Sequence, residues 1–167
     1  KIIEPTLKGL SILNCKYKGF LYAGLMIVNN EPYLIEYNVR MGDPECQTIL
    51  PRLVTDLIEI LLACCEEKLS KINIKWSEKK SLCIVMCSKG YPDSYQENIE
   101  IRNLNKIHLN NNEFLFHAGT KKNNKKIYAT GGRVLNFVGL GDDFSDAKKS
   151  ALKNLKYLNW SGGFYRK

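Results

Sequence analysis

Apolar and polar positions follow two periods along the chain, and the changes of period mark its elements. Residues 5–14, PTLKGLSILN, place apolar side chains at 7, 10, 12 and 13, the spacing of an amphipathic helix with Pro5 near its start. FLYAGLMIV (20–28) is apolar almost throughout and predicts a buried strand. NNEP (29–32) supplies four turn-type residues and YLIEYNV (33–39) a second strand, so the two strands predict a hairpin. LVTDLIEILLACCEEKL (53–69) has apolar residues at 53, 54, 57, 58, 61, 62 and 65. That is a helical stripe, with Asp56 and Glu59 on the opposite face.

A boundary is expected in SKINIKWSEKK (70–80), where the helical pattern stops and charge rises. Beyond it SLCIVMCS (81–88) predicts a strand and KGYPDSY (89–95) its turn. EIRNL (100–104), EFLFHAG (113–119) and KIYAT (126–130) predict three short strands. GGRVLNFVGLG (131–141) predicts a longer strand bracketed by glycines, and DFSDAKKSALKNLKYL (143–158) a helix capped by Asp143 or Ser145. The fold class is mixed α/β (α+β) in two parts.

Composition narrows the function classes. The formal charge is +8 over 167 residues, a balance that suits nucleic acid or phosphorylated small molecules. The excess lies partly in KYKGF (16–20) and KKNNKK (121–126), which read as loop-tip charges. No Arg-rich stripe with interleaved aromatics occurs, so no nucleic-acid partner is expected. No apolar run reaches about 18 residues, which argues against a membrane span. The start, KIIEPTLKGL, is unlike a signal peptide and opens as if mid-domain, as a fragment or processed chain would. The six cysteines contain no CxxC pair and stand mostly in apolar runs. They read as buried, reduced thiols of a cytoplasmic protein rather than zinc ligands.

The densest chemistry lies in YLIEYNVRMGDPECQTILPR (33–52). Strand alternation puts Leu34, Glu36, Asn38 and Arg40 on one face, each roughly 7 Å from the next. A carboxylate and an amide oxygen suit Mg²⁺ shared with phosphates, and an arginine one step along suits a phosphate oxygen. Glu36 and Arg40 could equally form a surface pair, and Gly42, Asp43 and Pro44 a plain turn. Against that, a charge at Glu36 within an apolar strand is costly without a partner.

EYNVRMGDPECQ (36–47) resembles the signature E-F-N-x-R-F/L-G-D-P-E-x-Q of the glycinamide ribonucleotide synthetases, or phosphoribosylamine–glycine ligases. PTLKGL, YKGFLYAGLMI, LPRLVTDLIEILLACCEEKL, KGYPDSY, FHAGTK, GGRVLNFVGLG and FYRK resemble that family in the same order. The resemblance spans the whole chain and the C-terminal part of a typical member. It implies the end of an ATP-grasp domain at 1–75, of antiparallel strands plus helices. A small mixed β-sheet domain with a C-terminal helix is implied at 76–167. The activity implied is ligation of glycine to 5-phosphoribosylamine with ATP and Mg²⁺ or Mn²⁺, through a glycyl phosphate.

Carried onto this sequence, the resemblance makes Glu36 and Asn38 metal ligands and sets Arg40 near the transferred phosphoryl group. Asp43 steers the glycine ammonium or holds its loop. Lys121 and Arg133 are candidates for neutralising the 5′-phosphate, with Gly131 and Gly132 letting backbone N–H groups approach. Tight turns and a solvated charge run are the plainer reading of those four, and His117 reads as structural. Tyr37 and Met41 depart conservatively from the signature, and 20–28 has no acid for a further metal ligand. Neither a glycine-rich phosphate loop nor an adenine-binding segment is present. The expected partner is therefore the N-terminal remainder of the same enzyme, in the same or a separate chain. A non-catalytic basic α/β binding module and another ATP-grasp ligase are the alternatives.

Overall fold

A computed structural model describes residues 1–166, and Lys167, the end of FYRK, lies outside the described residues. The elements are α1 (Ile3–Ile12), β1 (Tyr22–Val28), β2 (Glu31–Asn38), α2 (Glu45–Ile49), α3 (Leu57–Cys65) and β3 (Lys80–Ser88). There follow β4 (Ile99–Ile101), β5 (Glu113–His117), β6 (Thr120–Asn123), β7 (Lys126–Ala129), β8 (Arg133–Gly141), α4 (Phe144–Lys153) and β9 (Gly163–Phe164). The architecture is mixed α/β with antiparallel sheets, as the sequence patterns imply. Two compact units emerge, one of residues 1–46 and 53–76, the other of 47–52 and Ser77 onward.

In the first unit β1 and β2 form an antiparallel hairpin in which Val28 pairs with Glu31. The turn is therefore Asn29–Asn30, not the four residues NNEP, and both asparagines are left-handed, at φ 50° and 62°. Asparagine tolerates that region, and two such residues match the twist of the flanking strands. Burial of 20–28 is not observed. Leu25, Met26, Ile27 and Val28 are each at least 45% exposed, in a sheet that has two strands among the described residues. Thr6 Oγ1 and Tyr37 OH, 2.5 Å apart, fasten α1 to β2.

Helix α3 starts at Leu57 rather than at 53, because Leu53 pairs with Trp76 and Val54 donates to the Lys75 carbonyl at 3.0 Å. Asp56, expected on the polar face, instead caps the helix by accepting from Ile58 N at 2.7 Å. Lys18 bridges Glu67 at 2.8 Å and donates to the Cys65 carbonyl at 3.1 Å. The bond to Glu67 raises the Lys18 pKa and lowers that of Glu67. Buried thiols are not found: all six cysteines are free, with Cys15 and Cys65 exposed and the others half-buried. Cys15 follows the end of α1 and Cys65 closes α3, places that a short periodic pattern does not distinguish from core.

The second unit contains a four-stranded sheet, β5-β8-β3-β9, and a three-stranded one, β4-β7-β6. Strand β8 is buried from Val134 through Gly141, consistent with its position between β5 and β3. Its core partners include Met86, Ile101, Ala129 and Trp160. Helix α4 packs backbone-close on β8: a Cβ on Gly139 would stand 2.2 Å from the Ala147 oxygen, and one on Gly141 2.3 Å from the Ala147 nitrogen. Asp143, one of the two expected caps, accepts from Asp146 N at 2.8 Å. The helix stops at Lys153 and continues only as a 3₁₀ turn over Leu155–Tyr157. The KKNNKK run is not a loop tip. Lys121, Lys122 and Asn123 lie in β6 and Lys126 in β7, and the left-handed Asn124 and Lys125 make the turn.

Glu113, with its side chain 3% exposed, accepts from Lys153 Nζ at 2.8 Å, Asn110 Nδ2 at 2.9 Å and Asn154 Nδ2 at 3.0 Å. The carboxylate thus ties β5, the 110–112 loop and the end of α4 together. Glu113→Ala removes the shared acceptor of three side-chain donors and of Asn110 N, and should destabilise the chain by about 2–4 kcal/mol. Urea denaturation measures this; a loss under about 0.5 kcal/mol, the surface-substitution range, would show that the network contributes nothing.

Candidate functional site

Hairpin register assembles the first cluster. Tyr22 pairs with Asn38 and Gly24 with Glu36, so Glu36 and Asn38 share a face. Their side chains meet, with Asn38 Nδ2 donating to Glu36 Oε1 at 2.9 Å. The register shifts after Gly24, so that Leu25 pairs with Leu34 and Ile35 is the extra residue of a bulge. Leu34 consequently faces away from Glu36, and simple alternation fails there. Glu36 is exposed, so the burial cost expected for a charge in an apolar strand does not arise. Strand β2 ends at Asn38; Arg40 lies in the following bend and donates to the Met41 carbonyl at 3.0 Å. The regular spacing expected along the strand therefore does not extend to Arg40. Asp43 is exposed in the turn leading into α2.

Two neighbours escaped the sequence reading. Tyr22 OH donates to Glu45 Oε1 at 3.2 Å. The Glu45 carboxylate chiefly, then burial, raises the Tyr22 pKa above the ordinary phenol value, and the Glu36 charge adds to it. The phenol accordingly stays protonated and available as a donor near neutral pH. A four-residue turn would have put Val39 opposite Tyr22; the two-residue turn and the bulge bring Asn38 there instead. The Asn-Asn dipeptide was the signal that could have revealed it.

The donor chemistry fits a hard divalent cation. Among the described residues no group of three or more His, Cys, Asp and Glu side chains gathers. Glu36 and Asn38 would contribute one carboxylate and one amide oxygen, with phosphate and water oxygens completing the shell. Joint ligation requires the Asn38 amide to present its oxygen where its NH₂ group now meets Glu36.

The second cluster lies in the second unit, where HAGTK and TGGRV join. Ala118 N donates to the Val134 carbonyl at 2.9 Å, Gly119 N to that of Arg133 at 3.0 Å, and Thr130 N to that of Gly119 at 2.8 Å. Gly131 and Gly132 accept from Ser88 Oγ and Ser88 N at 2.7 and 2.8 Å. A Cβ on Gly132 would fall 2.1 Å from Tyr91 Cδ2, so the missing side chain makes room for the Tyr91 ring. Arg133 is exposed at the start of β8, and Lys121 is exposed on β6 opposite Tyr128. His117 Nδ1 meets Thr120 Oγ1 at 3.0 Å.

Among the described residues no helix is long and apolar enough to cross a membrane. Residues 81–167 match the family described as phosphoribosylglycinamide synthetase, C domain, and residues 1–46 match phosphoribosylglycinamide synthetase, ATP-grasp (A) domain. The phosphoribosylamine–glycine ligase of Caldanaerobacter subterraneus subsp. tengcongensis is 41% identical over 167 residues, 100% of this chain and 39% of that protein. The chloroplastic phosphoribosylamine–glycine ligase of Arabidopsis thaliana is 43% identical, over 99% of this chain and 32% of its own length. The crystal structure of phosphoribosylamine–glycine ligase from Thermotoga maritima superposes with a TM-score of 0.77 at 30% identity, covering 98% of this chain and 41% of that one. The chain thus spans 32–41% of these relatives. It belongs to the phosphoribosylglycinamide synthetase family.

Proposed function

We propose that this chain is the C-terminal portion of a cytoplasmic phosphoribosylamine–glycine ligase, joining glycine to 5-phosphoribosylamine at the expense of ATP. The observation that carries the reading is the meeting of Glu36 and Asn38 at 2.9 Å on one face of β2, at the head of the EYNVRMGDPECQ signature. Residues 1–75 are assigned to the end of the ATP-grasp domain and 76–167 to the family's C-terminal domain. The remainder of the enzyme supplies the phosphate loop and adenine site. ATP, glycine and 5-phosphoribosylamine are the small-molecule partners.

A magnesium or manganese ion, when bound, neutralises phosphate charge and aligns the transferring group. Glu36 and Asn38 are the residues of this chain that would hold it. Arg40, just past the strand, has the planar fork that pairs bidentately with the transferred phosphoryl oxygens. Its present bond to the Met41 carbonyl is one it exchanges on binding. Tyr22, kept protonated by Glu45, braces the loop that carries Asp43, the acid assigned to the glycine ammonium. In the second unit Arg133 and Lys121 are assigned to the 5′-phosphate beside the Gly131–Gly132 turn. Proton transfer and covalent help from the protein are minor in such chemistry; positioning and charge neutralisation dominate.

Arg133→Ala in the full-length enzyme should raise KM for ribosylamine about tenfold or more while KM for ATP moves less than about twofold, the signature of lost ground-state binding to one substrate. Steady-state kinetics with each substrate varied provides the check. An unchanged ribosylamine KM removes Arg133 from the site, and absence of glycine-dependent phosphate release from the unsubstituted enzyme removes the ligase reading.

A further inference from the structure

Tyr37 stands between Glu36 and Asn38 on β2 and, by strand alternation, points to the opposite face. There its hydroxyl meets Thr6 Oγ1 of α1 at 2.5 Å. Thr6 Oγ1 also lies 2.9 Å from the Ile2 carbonyl, which can only accept. The single hydroxyl proton of Thr6 therefore goes to Ile2, and the Tyr37 hydroxyl donates to Thr6. The result is a relay from Tyr37 through Thr6 to the Ile2 carbonyl, in which each bond polarises the next. Phenylalanine, the residue of the E-F-N-x-R signature at this position, has no hydroxyl to start it.

Both elements that the relay joins are weakly held. No residue of α1 is buried, Ile3 and Leu7 are 41% and 42% exposed, and the N-cap Ile2 makes no side-chain capping bond. Lys1 pairs with Glu31 at the far end of β2, at 2.6 Å, but both side chains are more than half exposed and such a pair contributes little. The hairpin has two strands among the described residues, and its register already shifts at Ile35, one residue before Glu36. Isolated two-stranded hairpins are marginally stable in water, and a slip of one residue would turn both Glu36 and Asn38 to the other face. Gly24, the partner of Glu36, leaves that side chain its room: a Cβ there would stand 3.2 Å from Glu36 Cγ. The relay is thus a directed bond that ties the back of the 36–38 segment to a second element.

We propose that Tyr37 and Thr6 are positioning residues for the divalent cation: the relay fixes the 36–38 backbone from behind, so that Glu36 and Asn38 present their oxygens at a set separation. The proposal rests on the ligase reading for the ion and goes beyond it in naming what aims the ligands. With the backbone held, the Asn38 amide can turn its oxygen toward the ion without moving the strand. The test titrates Mn²⁺ into the full-length enzyme at fixed ADP, read by electron paramagnetic resonance, beside turnover across Mg²⁺ concentrations and thermal melting. Tyr37→Phe and Thr6→Val should each weaken Mn²⁺ binding about three- to tenfold, the scale of one hydrogen bond. Both break the same relay, so the double variant should lose no more than the weaker-binding single one. Half-saturating Mg²⁺ should rise in step while kcat at saturating Mg²⁺ stays within about twofold, a split that a general loss of structure would not give. Thr6→Ser keeps the hydroxyl and should bind Mn²⁺ like the parent. Thr55→Val is the control: its hydroxyl accepts from Lys75 N at 2.7 Å in the same unit, and its loss should leave Mn²⁺ affinity unchanged. Unchanged Mn²⁺ affinity in either single variant, additive losses, an equal loss in Thr55→Val, or a Thr6→Ser chain as weak as Thr6→Val overturns the proposal. No Mn²⁺ binding by the unsubstituted enzyme overturns it too, and none of these results touches the turnover on which the ligase reading stands. Relay-dependent Mn²⁺ binding by an enzyme that releases no phosphate in response to glycine keeps the positioning pair and removes the ligase reading.

Discussion

Glu36→Ala in the full-length enzyme is expected to lower kcat by about 10²–10³-fold or more, the scale on which loss of one preorganised charge-stabilising contact is felt in transition states. Glu36 is the one carboxylate of the proposed metal pair, and Asn38 loses its hydrogen-bond acceptor with it. An amide oxygen alone is a weak anchor for a hard dication. Stability should scarcely change, since Glu36 is exposed and surface substitutions usually fall within about 0.5 kcal/mol. Turnover measured across a metal titration, with thermal melting as control, makes the test. A variant with kcat within threefold of the parent would remove Glu36 from the reaction; a rate restored by high Mg²⁺ or Mn²⁺ would locate the defect in metal affinity.

Gly139→Val should abolish cooperative folding of the second unit. The new Cβ would start 2.2 Å from the Ala147 oxygen and 2.4 Å from the Ala151 nitrogen, both backbone atoms of α4. No rotamer change relieves that overlap, so the helix must leave the face of β8 that carries Gly139 and Gly141. Overpacking commonly costs about 1–3 kcal/mol where side chains can give, and this site exceeds that range against a typical total of about 5–15 kcal/mol. Gly9→Ala is the contrasting control, because nothing lies within 4 Å of its Cβ in the middle of α1. That change should be neutral or stabilise by up to about 1 kcal/mol. Urea titration followed by near-ultraviolet circular dichroism compares them; a Gly139→Val chain unfolding like the parent would refute the close-packed account of α4 and β8.

Where one strong local rule governed, the sequence was readable. The apolar run 131–141, bracketed by glycines, announced a longer strand, and Asp143 or Ser145 the start of its helix, where Asp143 is the cap. Glu36 and Asn38 were legible as a pair because residues two apart in a strand share a face. Arg40 was not, because the strand ends two residues before it. Tyr22 and Glu45 stayed hidden for a different reason. Their contact depends on a two-residue turn and a bulged Ile35, and one residue of register decides which side chain faces which. The lysines of 121–126 misled by composition: charge is solvated equally well on a short hairpin as on a loop tip. The bond between Tyr37 and Thr6 needed tertiary structure, since the two are 31 positions apart in sequence.

The short segment 47–52 belongs to the second unit, although the first unit's chain resumes at Leu53 and runs on to Trp76. Arg52 and Ser77 are joined by reciprocal bonds, Ser77 N to the Arg52 carbonyl at 2.7 Å and the Arg52 guanidinium to the Ser77 carbonyl at 3.0 Å. Neither unit is therefore one uninterrupted stretch of gene. A recombination breakpoint placed at 76/77 would carry away both sheets of the second unit and leave six residues of that unit, 47–52, behind in the other parent. The units alternate at three junctions, 46/47, 52/53 and 76/77, so an exchange of only one of them needs at least three crossovers, which favours inheritance of these two units together.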